Sequence, residues 1–295
     1  MTGNQPTQSG TELCQDWNFQ VNLPSNPIKR RAKVALGQTL SVLLPSRQNQ
    51  IQRAERPLPY ALVDRLIATA LMDRLIREGR TDVIADMHRH IWRRPDVLAW
   101  YATTEDWFTN RFLPEQVDFV DELQRVVSEG KYHTLCEFGC GRGLLTNYLA
   151  SHLDGVEQFI GLDLNEHQIK LNRARFSNPK LSFIGTDALA WLNQQTQPGW
   201  ILFSYDALPY VPESQLEALL NNFKTRLAPS LVAIMEVIDM KHDLERELSS
   251  RPFDGVLHLS HNYPELFRRT GYTVRYRDER RTGGGRWILM LATVG

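Results

Sequence analysis

From Thr134 onward, short apolar runs alternate with segments spaced for helices. The runs 134–139, 158–163, 181–185, 200–206 and 231–238 are too short for helices and show little polar alternation, which marks strands buried on both faces. Helices are predicted near 143–152, 165–176, 188–195, 213–227 and 263–270. Two last strands, 272–280 and 286–293, are joined by Thr282-Gly-Gly-Gly285, a link short enough to force an antiparallel pair. The expected fold is α/β: a mostly parallel sheet covered by helices on both faces, binding its ligand at the carboxyl ends of the strands.

Before Thr134 the period changes to 3.6. Leu62, Leu66, Ile67, Ala70, Leu71 and Leu75 share one face of a predicted helix 61–77. A second helix runs over 82–92 and ends before Pro95; shorter ones follow at 96–101 and 105–112. A last one, 115–129, stops at Gly130. Residues 1–27 are rich in Thr, Gln, Ser, Asn and Pro and read as a flexible tail. The expected organisation is a tail (1–27), a helical region (28–130) and a ligand-binding α/β domain (131–295).

Charge changes this picture little. With 34 basic and 34 acidic residues among 295, nothing pulls the whole chain toward nucleic acid or anionic membranes. Residues 28–56 are locally basic (Lys29, Arg30, Arg31, Lys33, Arg47, Arg53, Arg56 against Glu55). They read as a solvated face before they read as a docking patch, since no aromatic residue is interleaved. Three cysteines, an odd number, do not suggest a disulfide framework; Cys136 and Cys140 lack a second ligand pair and read as small core residues, so no metal is expected. His88 and His90, two apart on a helix, do not face one another. The polar N-terminus and the absence of any apolar run of about 18 residues point to a cytoplasmic protein with no membrane contact.

The chemistry gathers at strand ends. Gly139, Gly141 and Gly143 sit where the first strand becomes a helix, and glycine there permits positive φ and close ligand approach. Their spacing departs from the dinucleotide fingerprint, and no Gly-Lys-Ser/Thr follows for a P-loop. Asp163, 20 residues after Gly143, ends the second strand, where a carboxylate can accept both ribose hydroxyls. Asp187 ends the third and can accept from an adenine amino group, with the Ala188 N–H donating to a ring nitrogen. Either acid alone would serve equally as a helix cap. Glycine turn, acid and acid on consecutive strand ends point together to a bound adenosine.

These residues resemble the Rossmann-like class I S-adenosylmethionine-dependent methyltransferases. Glu137-Phe-Gly-Cys-Gly-Arg-Gly143 is similar to that family's first motif, Ile160-Gly-Leu-Asp-Leu-Asn165 to its second strand end, and Gly185-Thr-Asp-Ala188 to its adenine-side motif. Phe203 to Val211 resembles its fourth strand and Phe267 to Val274 the passage into its terminal hairpin; Leu227-Ala-Pro-Ser230 departs from the usual Pro-Gly-Gly. The resemblance covers about residues 130–295 and implies seven strands ordered 3-2-1-4-5-7-6, with the seventh antiparallel. It implies S-adenosylmethionine as cofactor, held by Glu137, Gly139, Cys140, Gly141, Gly143, Asp163, Leu164, Asp187, Ala188 and Tyr205. It also implies that the helices before the first strand form a lid, with Trp107 or Phe108 facing the ligand.

The acceptor side is less explicit. Tyr205 and Tyr210 can face a sulfonium. Tyr205, Glu236 and His261 are the candidate catalytic residues, although no spacing fixes a partner for them, and Asn262 with Glu265 already reads as a capping box. Arg281 and Arg286, with Arg280, flank the terminal turn and can clamp an anionic substrate group or simply blunt a sheet edge. The expected activity is methyl transfer to a small molecule, one that can carry a carboxylate, by an enzyme that can form a homodimer. The alternatives are a protein or RNA substrate docked by 28–56, and a non-catalytic cofactor-binding module.

Overall fold

The computed structural model describes residues 26–58, 60–103, 105, 108–253, 258–282 and 285–295. Strands β1 (Thr134–Phe138), β2 (Gln158–Asp163), β3 (Leu181–Gly185), β4 (Trp200–Tyr205) and β5 (Ser230–Ile238) are parallel. β6 (Thr273–Thr282) and β7 (Gly285–Val294) form the antiparallel hairpin, and β7 pairs with β5, giving the order 3-2-1-4-5-7-6. The apolar runs are continuous because alternate residues feed two cores. Leu202, Val232 and Ile234 pack toward Phe223 and Phe267 on one face; Phe203, Leu231 and Ala233 pack toward Phe119 and Leu149 on the other. Every strand crossover thus has a helix to cover it, and the carboxyl ends of β1 to β5 emerge along one edge.

The N-terminal region leads into β1 through the helix Val117–Glu129, and ahead of that helix it forms a bundle with its own core. Helices α1 (Pro27–Leu43) and α2 (Pro45–Gln52) lie on α3 (Leu62–Arg77), with a core of Ile51, Ile67, Leu71 and Met72. Gly37 permits this approach: a Cβ there would sit 2.1 Å from the carbonyl oxygen of Leu66. The basic stretch is not simply a solvated face. Arg47 (3.5 Å) and Arg56 (2.8 Å) pair with the buried Asp64, and Arg30 pairs with the buried Asp73 at 2.9 Å. Buried carboxylates need such partners, so these cations fasten α1 and α2 to α3.

Helix α4 (Thr81–Trp92) follows, then a 3₁₀ turn Pro95–Val97 and α5 (Leu98–Thr103). Phe108–Phe112 forms a π-helical turn where an ordinary short helix was expected, and α6 (Val117–Glu129) begins two residues later than predicted. In the α/β part, α7 (Leu144–His152), α8 (Glu166–Arg175), α9 (Ala188–Leu192), α10 (Glu213–Arg226) and α11 (Tyr263–Thr270) fall where the periodicity placed them. A two-stranded ribbon, Arg251–Pro252 with Leu259–Ser260, lies between β5 and the helix Tyr263–Thr270, where no element was predicted. Among the described residues no helix is long and apolar enough to cross a membrane. The predicted tail falls almost wholly outside the described residues.

Candidate functional site

The glycine turn has the conformation its sequence demanded. Gly139, Gly141 and Gly143 have φ of 73°, 46° and 67°. A Cβ on Gly139 would lie 2.6 Å from that of Ala207, and one on Gly143 would lie 2.5 Å from the Phe183 ring. Cys140 N–H donates to the Leu162 carbonyl and Gly143 N–H to the Cys140 carbonyl, both at 2.8 Å. The Asn172 amide donates to Gly141 O at 2.7 Å. Cys140 is buried against Ile169 and Phe183, so its side chain is core, and its backbone shapes the turn. The buried Glu137 accepts from the Thr146 hydroxyl, and burial pushes its carboxyl up to about 8. It braces β1 against α7, the helix that the turn opens.

Asp163 stands beside this turn. Its Oδ2 accepts from Gly141 N–H at 2.9 Å and its Oδ1 from Asn165 N–H at 2.8 Å. The Tyr101 hydroxyl donates to the same carboxylate, and burial pushes Asp163 up to about 6. Tyr101 also covers Gly141: a Cβ there would be 3.1 Å from its ring. Leu164 is half-buried next to Asp163. Asp187 caps α9 through Ala190 N–H (3.2 Å) and pairs with Arg89 at 3.4 Å; Ala188 is buried.

The N-terminal region is fastened over these strand ends. Asn165 donates to the carbonyls of Trp92 (3.0 Å) and Arg94 (2.9 Å). Arg142 donates to Tyr101 O at 2.9 Å and pairs with Glu105, which also pairs with Arg175 at 2.6 Å. Tyr101, Glu105 and Arg89 were not singled out from the sequence. Tyr101 is one of several aromatic residues between Trp100 and Phe112, and no local spacing says which of them reaches Asp163.

Past β4 the predicted residues separate. Tyr205 stacks on Trp287 (centroids 5.5 Å apart) with Phe108 at 6.5 Å. Tyr210 lies in another ring cluster with His88 (4.8 Å), Trp92 (5.7 Å) and His258 (5.6 Å). Trp107 lies outside the described residues. Arg286 donates to Glu279 (2.6 Å) and to the His242 carbonyl (2.7 Å), while Arg281, its cross-strand neighbour, is exposed. Among the described residues no three His, Cys, Asp or Glu side chains gather to hold a metal ion.

Glu236 and His261 are fully buried and act on one backbone unit. Glu236 Oε1 accepts from Ser204 Oγ (2.5 Å) and from Leu208 N–H (3.3 Å), while His261 Nε2 donates to Leu208 O (3.1 Å). The Ser250 hydroxyl donates to His261 Nδ1 at 2.6 Å. Burial raises Glu236 well above the carboxylate range and lowers His261 to about 4, so both are neutral. They grip the segment that follows β4. At its start Asp206, absent from the sequence candidates, has φ of 50°, an uncommon value for a residue other than glycine. Burial pushes its carboxyl up to about 7.

Residues 135–230 match the family model described as a methyltransferase domain. No curated protein matches the chain. Among solved structures, the chain is similar to a SAM-dependent methyltransferase from Leishmania major (12% identity, covering 71% of this chain and 83% of that one, TM-score 0.52). It is also similar to magnesium protoporphyrin IX methyltransferase from Synechocystis PCC 6803, seen with bound SAM (12% identity, 72% and 97% covered, TM-score 0.50). The same enzyme with bound SAH gives 16% identity, 72% and 100% coverage and a TM-score of 0.50. At these identities the structural likeness is one of fold.

Proposed function

We propose that this chain, a class I S-adenosylmethionine-dependent methyltransferase, transfers its methyl group to a small-molecule acceptor by in-line displacement. The observation that carries the cofactor reading is Asp163. Its buried carboxylate ends β2 beside three glycines held at positive φ. S-adenosylmethionine supplies an electrophilic methyl carbon on a sulfonium. Asp163 accepts from its ribose hydroxyls, and the left-handed glycines let the ligand lie against the backbone. Asp187 and Ala188 flank the adenine edge. Tyr205 and Tyr210 offer aromatic faces near the end of β4, where a cationic sulfur is well accommodated. The docked N-terminal helices exclude water and hold the acceptor in line, and such positioning supplies much of the acceleration.

The small-molecule reading is favoured because the helical region folds down on the strand ends through Arg142, Asn165 and Arg89. The competing reading, a protein or RNA docked by residues 28–56, loses support because Arg30, Arg47 and Arg56 already neutralise buried aspartates. The expected setting is the cytoplasm. Methyl-labelled S-adenosylmethionine offered separately with a metabolite extract, cellular protein and cellular RNA tests the choice. Label in the metabolite fraction supports a small acceptor; label in protein or RNA alone overturns it.

A further inference from the structure

The segment after β4 is held by more buried chemistry than a loop requires. Leu208 has its N–H taken by Glu236 and its carbonyl by His261, from positions 28 and 53 residues away in the chain. The residue this grip fixes is Asp206, whose N–H donates to Met235 O at 3.1 Å and whose φ is 50°. A non-glycine residue in that region is strained and persists only where the surroundings over-determine it. The next residue, Ala207, is packed on Gly139, so Asp206 abuts the cofactor turn.

Asp206 is half-buried, as are Tyr205 and Ala207 on either side of it. Glu236 and Tyr263 lie near enough for its charge to act on both. Glu236 Oε2 and the Tyr263 hydroxyl are fully buried and have no hydrogen-bond partner among the described residues. Buried polar atoms left over around one carboxylate point to a ligand group that completes them.

Resting on the methyltransferase reading above, we infer that Asp206 is the proton acceptor of the reaction, set beside the transferring methyl by Glu236 and His261 as positioning residues. The acceptor is then an amine or a hydroxyl compound rather than a thioether, because only these carry a proton to lose. The lone pair of its nitrogen or oxygen forms the bond to the methyl carbon. The carbon–sulfur bond breaks with its electron pair going to sulfur, leaving a neutral thioether. The proton passes from the acceptor atom to the Asp206 carboxylate and then to solvent. Glu236, kept neutral by burial, takes no part in that transfer.

Two cofactor analogues test this without knowledge of the acceptor. S-adenosylhomocysteine is a neutral thioether at sulfur. Sinefungin places a protonated amine where the methyl sits. At pH 8 the wild-type protein is expected to bind sinefungin about tenfold more tightly than S-adenosylhomocysteine, the worth of a charge-assisted hydrogen bond. Asp206→Asn, which tolerates the same backbone, is expected to lose that preference while S-adenosylhomocysteine affinity stays within twofold. Glu236→Gln, which can still accept from Leu208, is expected to keep the preference. Retention of the preference in Asp206→Asn, or its loss in Glu236→Gln alone, overturns the inference. A wild-type protein that binds neither analogue overturns the cofactor reading instead. If Asp206→Asn fails to bind S-adenosylhomocysteine, Asp206→Ser provides the same comparison.

Discussion

The donor and acceptor halves of the site differ in how their buried polar atoms are satisfied. Around the glycine turn, Asp163 receives the N–H groups of Gly141 and Asn165 and the Tyr101 hydroxyl, and Asn172 closes on Gly141. Past β4, Glu236 Oε2, the Tyr263 hydroxyl and both ring nitrogens of His258 have no partner among the described residues. A fully satisfied network is rigid and serves one ligand in a fixed pose, whereas unfilled buried groups are costly unless a ligand completes them. On the proposed function, the cofactor half is preformed by its own backbone, and the acceptor half is left for the substrate to finish.

Breaking the preformed half should have the largest effect. Gly143→Ala places a residue at φ 67° and drives its Cβ to within 2.5 Å of the buried Phe183 ring. A loss of about 2–3 kcal/mol in denaturant unfolding is expected, with cofactor binding weakened in parallel. A change below about 0.5 kcal/mol would mean that the turn is not the rigid element described.

A smaller effect concerns pH and involves both halves. Burial raises Glu137 to about 8, Asp206 to about 7 and Asp163 to about 6, so the folded apo protein holds protons that the unfolded chain releases above the ordinary carboxylate range. Stability from these groups is therefore greatest on the acid side and is lost as pH rises through about 6 to 8. His258 and His261, lowered to about 3 and 4, act oppositely and cost stability only as pH falls below about 6.5. The melting temperature of the apo protein should fall between pH 6.5 and pH 8.5. A rise over that interval would show that the carboxylates are ionised and paired in the fold.

Tyr101 gives the smallest and most discriminating change. A carboxylate offers about four lone-pair sites, and three donors already use Asp163. A ribose diol brings two more, so Tyr101 must release its bond. Tyr101→Phe should bind S-adenosylhomocysteine about fivefold more tightly, the net worth of one hydrogen bond. Weaker binding would mean that the hydroxyl helps to hold the ligand.

Much of the fold and the donor half was legible because it depends on local requirements. Strands buried on both faces must be apolar throughout, a left-handed turn must be glycine, and Asp163 and Asp187 lie at strand ends fixed by the same alternation. What escaped depends on backbone partners and docking. Glu236 and His261 were taken as catalytic candidates, yet each commits one polar atom to the Leu208 backbone, and no side-chain pattern encodes a main-chain partner. Asp206 was missed because nothing in Ser204-Tyr-Asp-Ala announces a positive φ. The cations of 28–56 looked solvated because their counterions, Asp64 and Asp73, sit on the neighbouring helix. Arg281 and Arg286 looked like a clamp, but Arg286 is engaged by Glu279.

In the proposed function, Asp163 beside the glycine turn is the cofactor's anchor. Isothermal titration of S-adenosylmethionine into wild type and Asp163→Ala, with far-UV circular dichroism of both, tests it most directly. Saturable binding by the wild type, no measurable binding by the variant, and superimposable spectra are expected. A well-folded variant with wild-type affinity would contradict it.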